Sequence, residues 1–290
     1  MSVLSHLAPE ARALAQAHDA ERLAFLATDR WIDYPRARQA LNILERLAAM
    51  PESSRMPGML IHGESNIGKS MIVRKFLRGH PPGPYDYGSG QQRIDVIAVE
   101  MPPVPQERRL YGQILLALNA SYRPSDRLAA VEHTALALLG RVAPRLIVVD
   151  EVHNLLAGSA REQRAALNLL KFLSNQLRCS IVVVGTRDAL AAMQTDAQIA
   201  SRFPEFELAR WQENEDLRSF LAGFERQLPL RQPSGIADSR EIVGTIVSAT
   251  GGITGRISTL LTQAADAAIR AKAECITPAS LRAAAARMRW

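Results

Sequence analysis

The sequence predicts an α/β fold, a three-layer sandwich in which helices cover both faces of a five-stranded parallel sheet, followed by a small helical domain. Three observations support this fold class. Short apolar runs alternate with helical patterns, the order expected of a parallel sheet. A glycine-rich turn separates the first of these runs from the helix that follows it. After Trp211 no strand-like run remains, and only helical patterns continue.

The five predicted strands are runs too short and too apolar for surface helices, as is typical of strands buried on both faces of a sheet. They span Gly58–His62, Ile94–Val99, Leu146–Val149, Ser180–Val184 and Phe206–Leu208.

Between and after the strands, apolar residues recur every three or four positions, which predicts amphipathic helices. The predicted helices span residues 9–27, 35–49, 70–77, 107–118, 125–139, 161–177, 189–193, 197–201, 214–227, 239–249, 257–273 and 278–289. Prolines and glycines predict a loop over 79–92. These patterns divide the chain into an N-terminal helical segment (1–57), an α/β domain (58–211) and a C-terminal helical domain (212–290).

Composition narrows the class of protein. With 47% hydrophobic and 22% charged residues, the 290-residue chain is neither a disordered tail nor a fibre. Its net charge of +6 comes mostly from arginine, which favours phosphate or carboxylate partners, although a solvated arginine-rich surface is an equal alternative. Cys179 and Cys275 lack the spacing of a disulfide or zinc framework, and no apolar run is long enough to span a membrane. We expect a bacterial cytoplasmic protein without membrane partners.

The glycine-rich turn is the strongest motif. Residues 63–70 match G-x-x-x-x-G-K-[ST] between a predicted strand and a predicted helix, the position in which such a loop binds phosphates. Backbone N–H groups would surround the phosphates, Lys69 would reach the β- and γ-phosphates, and the Ser70 hydroxyl would bind Mg²⁺. The alternative is an ordinary strand-to-helix turn. The predicted nucleotide-binding residues are Gly63, Glu64, Ser65, Asn66, Ile67, Gly68, Lys69 and Ser70.

Two further strands end in polar residues. Asp150 and Glu151 follow the third strand, and we expect Asp150 to hold Mg²⁺ and Glu151 to orient and deprotonate the attacking water. Capping of the next segment is the alternative, and a structural hydrogen bond is the expected role of His153. Thr186 follows the fourth strand, where its hydroxyl would sense the γ-phosphate or the water; a simple turn is the competing interpretation.

In this order of motifs the chain resembles an AAA+ ATPase, and more narrowly the transposition proteins TniB and TnsC. The resemblance covers about residues 30–285. The segments that carry it are Tyr34-Pro35-Arg36-Ala37, Gly63-Glu64-Ser65 to Lys69-Ser70, Asp150-Glu151-Val152-His153-Asn154-Leu155, Gly185-Thr186-Arg187-Asp188-Ala189-Leu190, Ser201-Arg202-Phe203 and Gly251-Gly252-Ile253-Thr254-Gly255-Arg256-Ile257.

The resemblance implies an ATP-dependent, Mg²⁺-requiring regulator that oligomerises on DNA, as a filament in some members, and links target choice to a transposase and a target-selection protein. It also implies that Arg202 completes the nucleotide site of a neighbouring subunit and that Arg256 is the sensor-2 arginine. A surface salt bridge and a helix-capping contact are the respective alternatives.

DNA contacts are predicted at Arg108 and Arg109, adjacent arginines near the start of a helix. Contacts there would go to phosphates and be independent of DNA sequence, since no base-reading motif occurs. A solvated helix start is the alternative.

Two other functions remain open. One is a DnaA- or IstB-like loader, and the other is a scaffold or signalling module gated by nucleotide. Glu151 favours hydrolysis over a switch without turnover.

Overall fold

The computed structural model describes residues 4–88, 90–123, 125–194 and 197–288. The chain forms two compact units that do not follow chain order. The sheet unit contains Gln39–Ser65 and Lys69–Leu208. The helical unit contains the residues up to Arg38, the short segment Asn66–Gly68 and the residues from Ala209 onward. The domain boundaries proposed from the sequence stay a prediction.

Thirteen α-helices are described. In chain order they are α1 (Pro9–Ala15), α2 (Asp19–Leu26), α3 (Pro35–Ala48), α4 (Lys69–Gly79), α5 (Glu107–Ala117), α6 (Leu128–Val142), α7 (Ala160–Leu177), α8 (Arg187–Met193), α9 (Ala197–Ala200), α10 (Glu215–Glu225), α11 (Arg240–Thr250), α12 (Thr254–Arg270) and α13 (Pro278–Arg287).

The described strands are β1 (Gly58–Gly63), β2 (Tyr85–Asp86), β3 (Gln91–Gln92), β4 (Val96–Glu100), β5 (Leu146–Asp150), β6 (Ser180–Gly185) and β7 (Glu205–Leu208). Five of them form one sheet in the order β4-β5-β6-β1-β7, and every neighbouring pair is parallel. All residues of β1 and β6 are buried, which explains their continuous apolar runs. The predicted five-stranded parallel sheet is confirmed.

Parallel pairing brings the carboxyl ends of the strands to one edge of the sheet. β6 lies between β5 and β1, so Gly63, Asp150 and Gly185 end three adjacent strands. The apolar core of the sheet unit contains aliphatic residues of these strands together with residues of α5, α6 and α7. The residues at the carboxyl edge of the sheet are therefore held in place by the apolar core beneath them.

The helical unit contains α1, α2 and the four C-terminal helices α10 to α13. The four C-terminal helices were predicted, and each begins and ends within three residues of its predicted bounds, although the predicted end at Arg289 lies outside the described residues. None of the helices in the described ranges is both long enough and apolar enough to cross a membrane.

The single helix predicted over 9–27 is wrong, because the chain breaks there into α1 and α2. His18 is extended, with φ −66° and ψ 151°, and Asp19 and Glu21 begin the second helix, where the helix dipole favours acidic residues. The alanine-rich stretch keeps its three-to-four periodicity through the break, so periodicity alone conceals it.

Two smaller features differ from prediction. The predicted loop over 79–92 contains a short antiparallel hairpin formed by β2 and β3. A 3-10 helix, Val152–Ala157, follows β5 where no helix was predicted.

Candidate nucleotide-binding site

The phosphate-loop motif joins β1 to α4. Its backbone takes two left-handed conformations, at Asn66 (φ 64°) and at Gly68 (φ 107°). Asparagine tolerates this region, whereas the value at Gly68 is one that side-chain-bearing residues rarely adopt. The backbone therefore requires the glycine at position 68, because the loop is left-handed at two of three consecutive residues.

Lys69 is the first residue of α4 and is only 9% exposed. Its Nζ donates to the carbonyl oxygens of Gly63 (2.9 Å) and Glu64 (2.7 Å). Burial lowers the pKa of this ammonium, and the nearby carboxylates Asp150, Glu151 and Glu64 oppose that shift. An ammonium carries three N–H donors, so Lys69 can hold the loop while a further donor faces an anion.

Ser70 and Asp150 lie together, as the sequence predicts for a metal site. Ser70 Oγ donates to Asp150 Oδ2 at 3.1 Å, and Asp150 Oδ1 accepts from the Glu151 backbone N–H at 2.8 Å. A hydroxyl and a carboxylate are the hard oxygen ligands that Mg²⁺ prefers, usually together with waters and substrate phosphates. The donor set fits Mg²⁺.

Glu151 has an unusual backbone. Its φ of 56° and ψ of 32° are left-handed, and it precedes the 3-10 helix. Such a conformation costs a non-glycine residue on the order of 1–2 kcal/mol and is concentrated at functional sites. The Glu151 side chain is 45% exposed, so the strained backbone presents a carboxylate to solvent at the carboxyl edge of the sheet.

The 3-10 helix after Glu151 is fixed from two sides. Asn154 Nδ2 donates to the Met101 carbonyl at 2.8 Å, beyond the end of β4. A Cβ at Gly185 would lie 2.9 Å from Val152, so the glycine that ends β6 permits close packing of this helix. Gly185 and Asn154, which belong to two of the segments that carry the family resemblance, thus fix the helix that follows Glu151.

His153 lies beside the Glu151 carboxylate. Its Nδ1 is 3.2 Å from Glu151 Oε2 but lacks hydrogen-bond alignment. The predicted structural hydrogen bond of this side chain is therefore not found at Nδ1. A protonated His153 would be an ion-pair partner of Glu151.

A cleft of about 500 Å³ opens beside Ser70, Asp150 and Glu151. Sequence reasoning missed one carboxylate in it, Glu100, which ends β4 and pairs in register with Asp150. The signal was present, because Glu100 ends an apolar strand just as Asp150 does.

Thr186 precedes α8 and is half-buried. Its Oγ1 lies 3.5 Å from Asp188 Oδ2. Since β6 runs between β5 and β1, Thr186 follows the strand that lies between the acidic strand and the strand of the phosphate loop. Its role as a sensor stays a prediction.

Arg202 lies at the opposite end of the sheet. Its carbonyl accepts from Gly58 N at 3.1 Å, and its Nη1 donates to Asn175 Oδ1 on α7 at 2.9 Å. Gly58 begins β1 and Gly63 ends it, so roughly 16 Å separates the Arg202 backbone from the phosphate loop of its own chain. Burial, followed by the charge of Arg55, lowers the pKa of this guanidinium.

Arg256 belongs to the helical unit, on the first turn of α12. The residue before it, Gly255, donates its N–H to the Asn66 carbonyl at 2.9 Å. A Cβ at Gly255 would lie 2.1 Å from Asn66 Oδ1, so only glycine allows this approach without displacing the amide. Arg256 therefore neighbours the loop segment Asn66–Gly68 within this unit.

An aromatic cluster supports the same end of α12. The Trp211 indole stacks on Phe220 with ring centroids 4.9 Å apart and meets Tyr34 edge-on at 5.0 Å. Its Nε1 donates to Thr254 Oγ1 at 2.9 Å. In the sequence Tyr34 stands out only as part of a family motif, and its contact with Trp211 is not visible there because 177 positions separate the two residues.

The two predicted DNA-contacting residues lie on the first turn of α5 and are exposed. Arg108 lines a groove of the sheet unit, and its Nη1 lies 3.5 Å from the Asp126 carbonyl. Arg109 is not among the residues that line this groove.

The model of a family described as bacterial TniB protein matches residues 22–213. No curated protein matches the chain.

Solved structures share the fold at low sequence identity. The ORC2 protein of Aeropyrum pernix, in ADPNP and ADP complexes, is 14% identical with a TM-score of 0.63, over 91% of this chain and 71% of its own. The ORC1 protein of the same organism, in complex with DNA, is 18% identical with a TM-score of 0.62, over 91% and 68%. Cdc6p of Pyrobaculum aerophilum is 15% identical with a TM-score of 0.62, over 90% and 69%. These likenesses confirm the predicted α/β fold with its parallel sheet and C-terminal helices.

Proposed function

Because the chain belongs to the TniB family, whose model matches about two thirds of it, we propose that it is an ATP-dependent, DNA-binding regulator of transposition. In this function it binds and hydrolyses ATP, assembles with copies of itself on target DNA, and recruits or activates a transposase, with a target-selection protein as a further partner.

One observation carries the proposal, namely the cluster of Lys69, Ser70, Asp150 and Glu151 at one edge of the sheet. Lys69 is anchored to loop carbonyls, Ser70 is joined to Asp150, and Glu151 is exposed beside them. A cation, a pair of hard oxygen ligands and an accessible base are the groups that hydrolysis of a nucleoside triphosphate requires. The loop itself, residues 63–70, would bind the phosphates through its backbone N–H groups.

Ser70 and Asp150 would hold Mg²⁺, which when bound neutralises charge on the β- and γ-phosphates. Glu151 orients the attacking water and accepts its proton. The left-handed backbone at Glu151 and the packing of Val152 against Gly185 keep the carboxylate at the strand end. The Thr186 hydroxyl contributes a further hydrogen bond to the phosphate or the water.

Two arginines complete the nucleotide site in this proposal, one from a neighbouring subunit and one from the same chain. Arg202 completes the site of a neighbouring subunit, and its distance of about one strand length from its own phosphate loop supports action across a subunit boundary. Arg256 serves as the sensor-2 arginine of its own chain, supported by the Gly255–Asn66 hydrogen bond in the helical unit. A guanidinium placed at the developing γ-phosphate charge raises turnover by about 10³–10⁵ where such a finger is used fully.

Electron microscopy of negatively stained protein tests the assembly. With duplex DNA and a non-hydrolysable ATP analogue, we expect regular filaments along the DNA. The Lys69→Ala variant, which removes the side-chain cation of the loop, is the matched control and should give none. Small closed rings would favour a loader, and oligomers that form equally without DNA would favour a scaffold.

Mixing of two inactive variants tests the role of Arg202. Lys69→Ala and Arg202→Ala chains, each inactive alone, should regain part of the ATPase activity when co-assembled, since some interfaces then combine an intact loop with an intact arginine. If verified mixed oligomers show no recovery, the assignment across the boundary is wrong.

A further inference from the structure

Two arginines lie close together in the sheet unit, at the amino end of the sheet. Arg55 Nη2 donates to Ser201 Oγ at 3.0 Å, and Ser201 directly precedes Arg202. Arg202 Nη1 donates to Asn175 Oδ1 at 2.9 Å. The Ser201 hydroxyl in turn donates to the Gln198 carbonyl at 3.1 Å. The fold thus brings Arg55 beside Arg202, although 146 positions separate Arg55 from Ser201.

The backbone holds both arginines in place. Each directly precedes a buried apolar residue, Met56 after Arg55 and Phe203 after Arg202. The Gly58 N–H donates to the Arg202 carbonyl at 3.1 Å, and a Cβ at Gly58 would lie 2.7 Å from the Phe203 ring. The two segments that carry the arginines are therefore packed closely together at the start of β1.

The two guanidinium groups are held by neutral acceptors, a hydroxyl and an amide oxygen. Within the described part of the chain, neither Arg55 nor Arg202 forms an ion pair with a carboxylate. Burial, followed by the charge of Arg55, lowers the pKa of Arg202, as expected of two neighbouring cations. A guanidinium has five N–H donors, and each of these two uses one in a described hydrogen bond. The pair therefore has both the charge and the donors to bind an anion.

We propose that Arg55 is a second arginine that acts across the subunit boundary, and that it binds, together with Arg202, the terminal phosphate of the nucleotide held by a neighbouring copy of the chain. The inference rests on the proposed function, which places Arg202 at that phosphate, and deepens it by a residue that the sequence did not identify. The phosphate loop of the same chain begins at the other end of β1, roughly 16 Å away, so the anion would come from another copy.

The charges of the two faces are complementary. The cleft beside the phosphate loop contains the carboxylates of Glu100, Asp150 and Glu151, and a nucleoside triphosphate adds further negative charge. Two guanidinium groups can share the oxygens of one phosphate, on which charge develops during its transfer. DNA presents a row of phosphates instead, whereas a further arginine at this end of the sheet, Arg178, is already paired with Glu52 at 3.6 Å. The pair therefore fits one compact anion better than an extended one.

The preference of the protein, assembled on duplex DNA, for a non-hydrolysable ATP analogue over ADP tests the role of Arg55. In Arg55→Gln this preference should fall about 10- to 100-fold, because the lost contact is made only to the terminal phosphate. ATP turnover should fall by at least the same factor. The matched control is Arg178→Gln, which removes an exposed arginine at the same end of the sheet that is already paired with Glu52. It should keep the wild-type preference and turnover.

Mixing separates action across the boundary from a role within one chain. Lys69→Ala chains lack the cation of the loop but keep Arg55, so their co-assembly with Arg55→Gln chains should restore part of the turnover. Absence of recovery in verified mixed oligomers would place the effect of Arg55 within its own chain and would overturn the proposal. Circular dichroism of each variant verifies its fold.

The other outcomes are also decisive. Wild-type preference and turnover in Arg55→Gln would overturn the second arginine while leaving the proposed function intact. Weaker DNA binding at an unchanged nucleotide preference would make DNA the ligand of the pair, and equal losses in Arg55→Gln and Arg178→Gln would mean that net charge alone matters; either result overturns the proposal. If the wild-type protein neither hydrolyses ATP nor assembles on DNA, the proposed function itself fails.

Discussion

The two units of the molecule use charged residues in opposite ways. In the sheet unit, the acidic residues Asp150 and Glu151 stand at a strand end and are partly exposed, above an apolar core. In the helical unit, Arg22 is completely buried and bonded to Glu274, 252 positions away. The carboxylates of the sheet unit are accessible to a ligand. The buried pair of the helical unit instead links the N-terminal and C-terminal parts of the chain.

The contacts of Arg22 explain how a buried cation is tolerated. All five guanidinium hydrogens are used: Nε and Nη2 donate to the Pro229 carbonyl (3.0 and 2.7 Å), Nη1 donates to Asp19 Oδ1 and Glu274 Oε1 (both 3.0 Å), and Nη2 also donates to Glu274 Oε2. The pair thereby joins α2 to the turn after α12. Arg22, buried with all its N–H groups bonded, thus has a structural role, whereas Glu151, exposed on a strained backbone, has a carboxylate that is accessible to a ligand or to water.

The largest expected effect lies at the exposed charge. Glu151→Gln removes the base and should lower ATP turnover by about 10²–10⁴ while ATP binding persists. Because the side chain is exposed, the free energy of unfolding should change by less than about 0.5 kcal/mol. Steady-state phosphate release and urea unfolding measure the two quantities. Glu52→Gln, an exposed carboxylate outside the cleft, is the control; wild-type turnover in Glu151→Gln would assign the base elsewhere.

The buried charge should show the reverse pattern. Glu274→Gln removes the carboxylate that contacts both Nη1 and Nη2 of the buried Arg22 and leaves Asp19 as a partner on Nη1 alone, so we expect the free energy of unfolding to fall by about 3 kcal/mol. Glu241→Gln is a matched control in the same unit, since Glu241 also pairs with an arginine, Arg282, but at the surface, where such a pair contributes about 0–1 kcal/mol. Equal changes in the two variants, measured by urea unfolding, would remove the distinction between the units.

A pair of adjacent glycines tests packing within the helical unit. Gly251 and Gly252 both have left-handed φ, at 62° and 70°. A Cβ at Gly252 would lie 2.3 Å from the Trp211 carbonyl oxygen, whereas one at Gly251 meets only the Arg210 guanidinium at 3.7 Å. Gly252→Ala should therefore destabilise the protein by about 1–3 kcal/mol more than Gly251→Ala in thermal unfolding. Equal losses of stability in the two variants would mean that the left-handed backbone alone causes the loss and that the close approach to Trp211 adds nothing.

The smallest expected effect is a dependence on acid. Burial alone would raise the pKa of Glu274, but hydrogen bonds from Arg22 and the Arg231 N–H hold the pKa below its ordinary value of 4.5. Its contribution to stability is complete above that value and is lost as pH falls through the lowered pKa. The difference in unfolding free energy between wild type and Glu274→Gln should thus be constant around neutral pH. It should shrink as the pH falls below 4.5, the ordinary pKa of the carboxyl group. A constant difference down to the acid limit would contradict this linkage.

Most of the sheet could be predicted from sequence because its strands are buried on both faces. A strand such as β6, Ser180–Gly185, is a continuous apolar run, and its assignment needs no knowledge of its neighbours. The phosphate loop and the Asp150-Glu151 pair could also be predicted, because each is a contiguous motif that directly follows a recognisable strand. The break between α1 and α2 was not accessible, because alanine-rich periodicity continues through it.

By itself, the sequence determined the fold class, the family resemblance, the phosphate loop and the acidic strand end, all of which depend on residues within a few positions of one another. Only the tertiary structure decided which distant residues meet. It joined Arg22 to Glu274, set Glu100 beside Asp150, and brought Arg55 to Ser201, next to Arg202. The physical reason is that local propensity and backbone geometry act along the chain, whereas burial and the pairing of charges act between segments that meet only after the chain has folded.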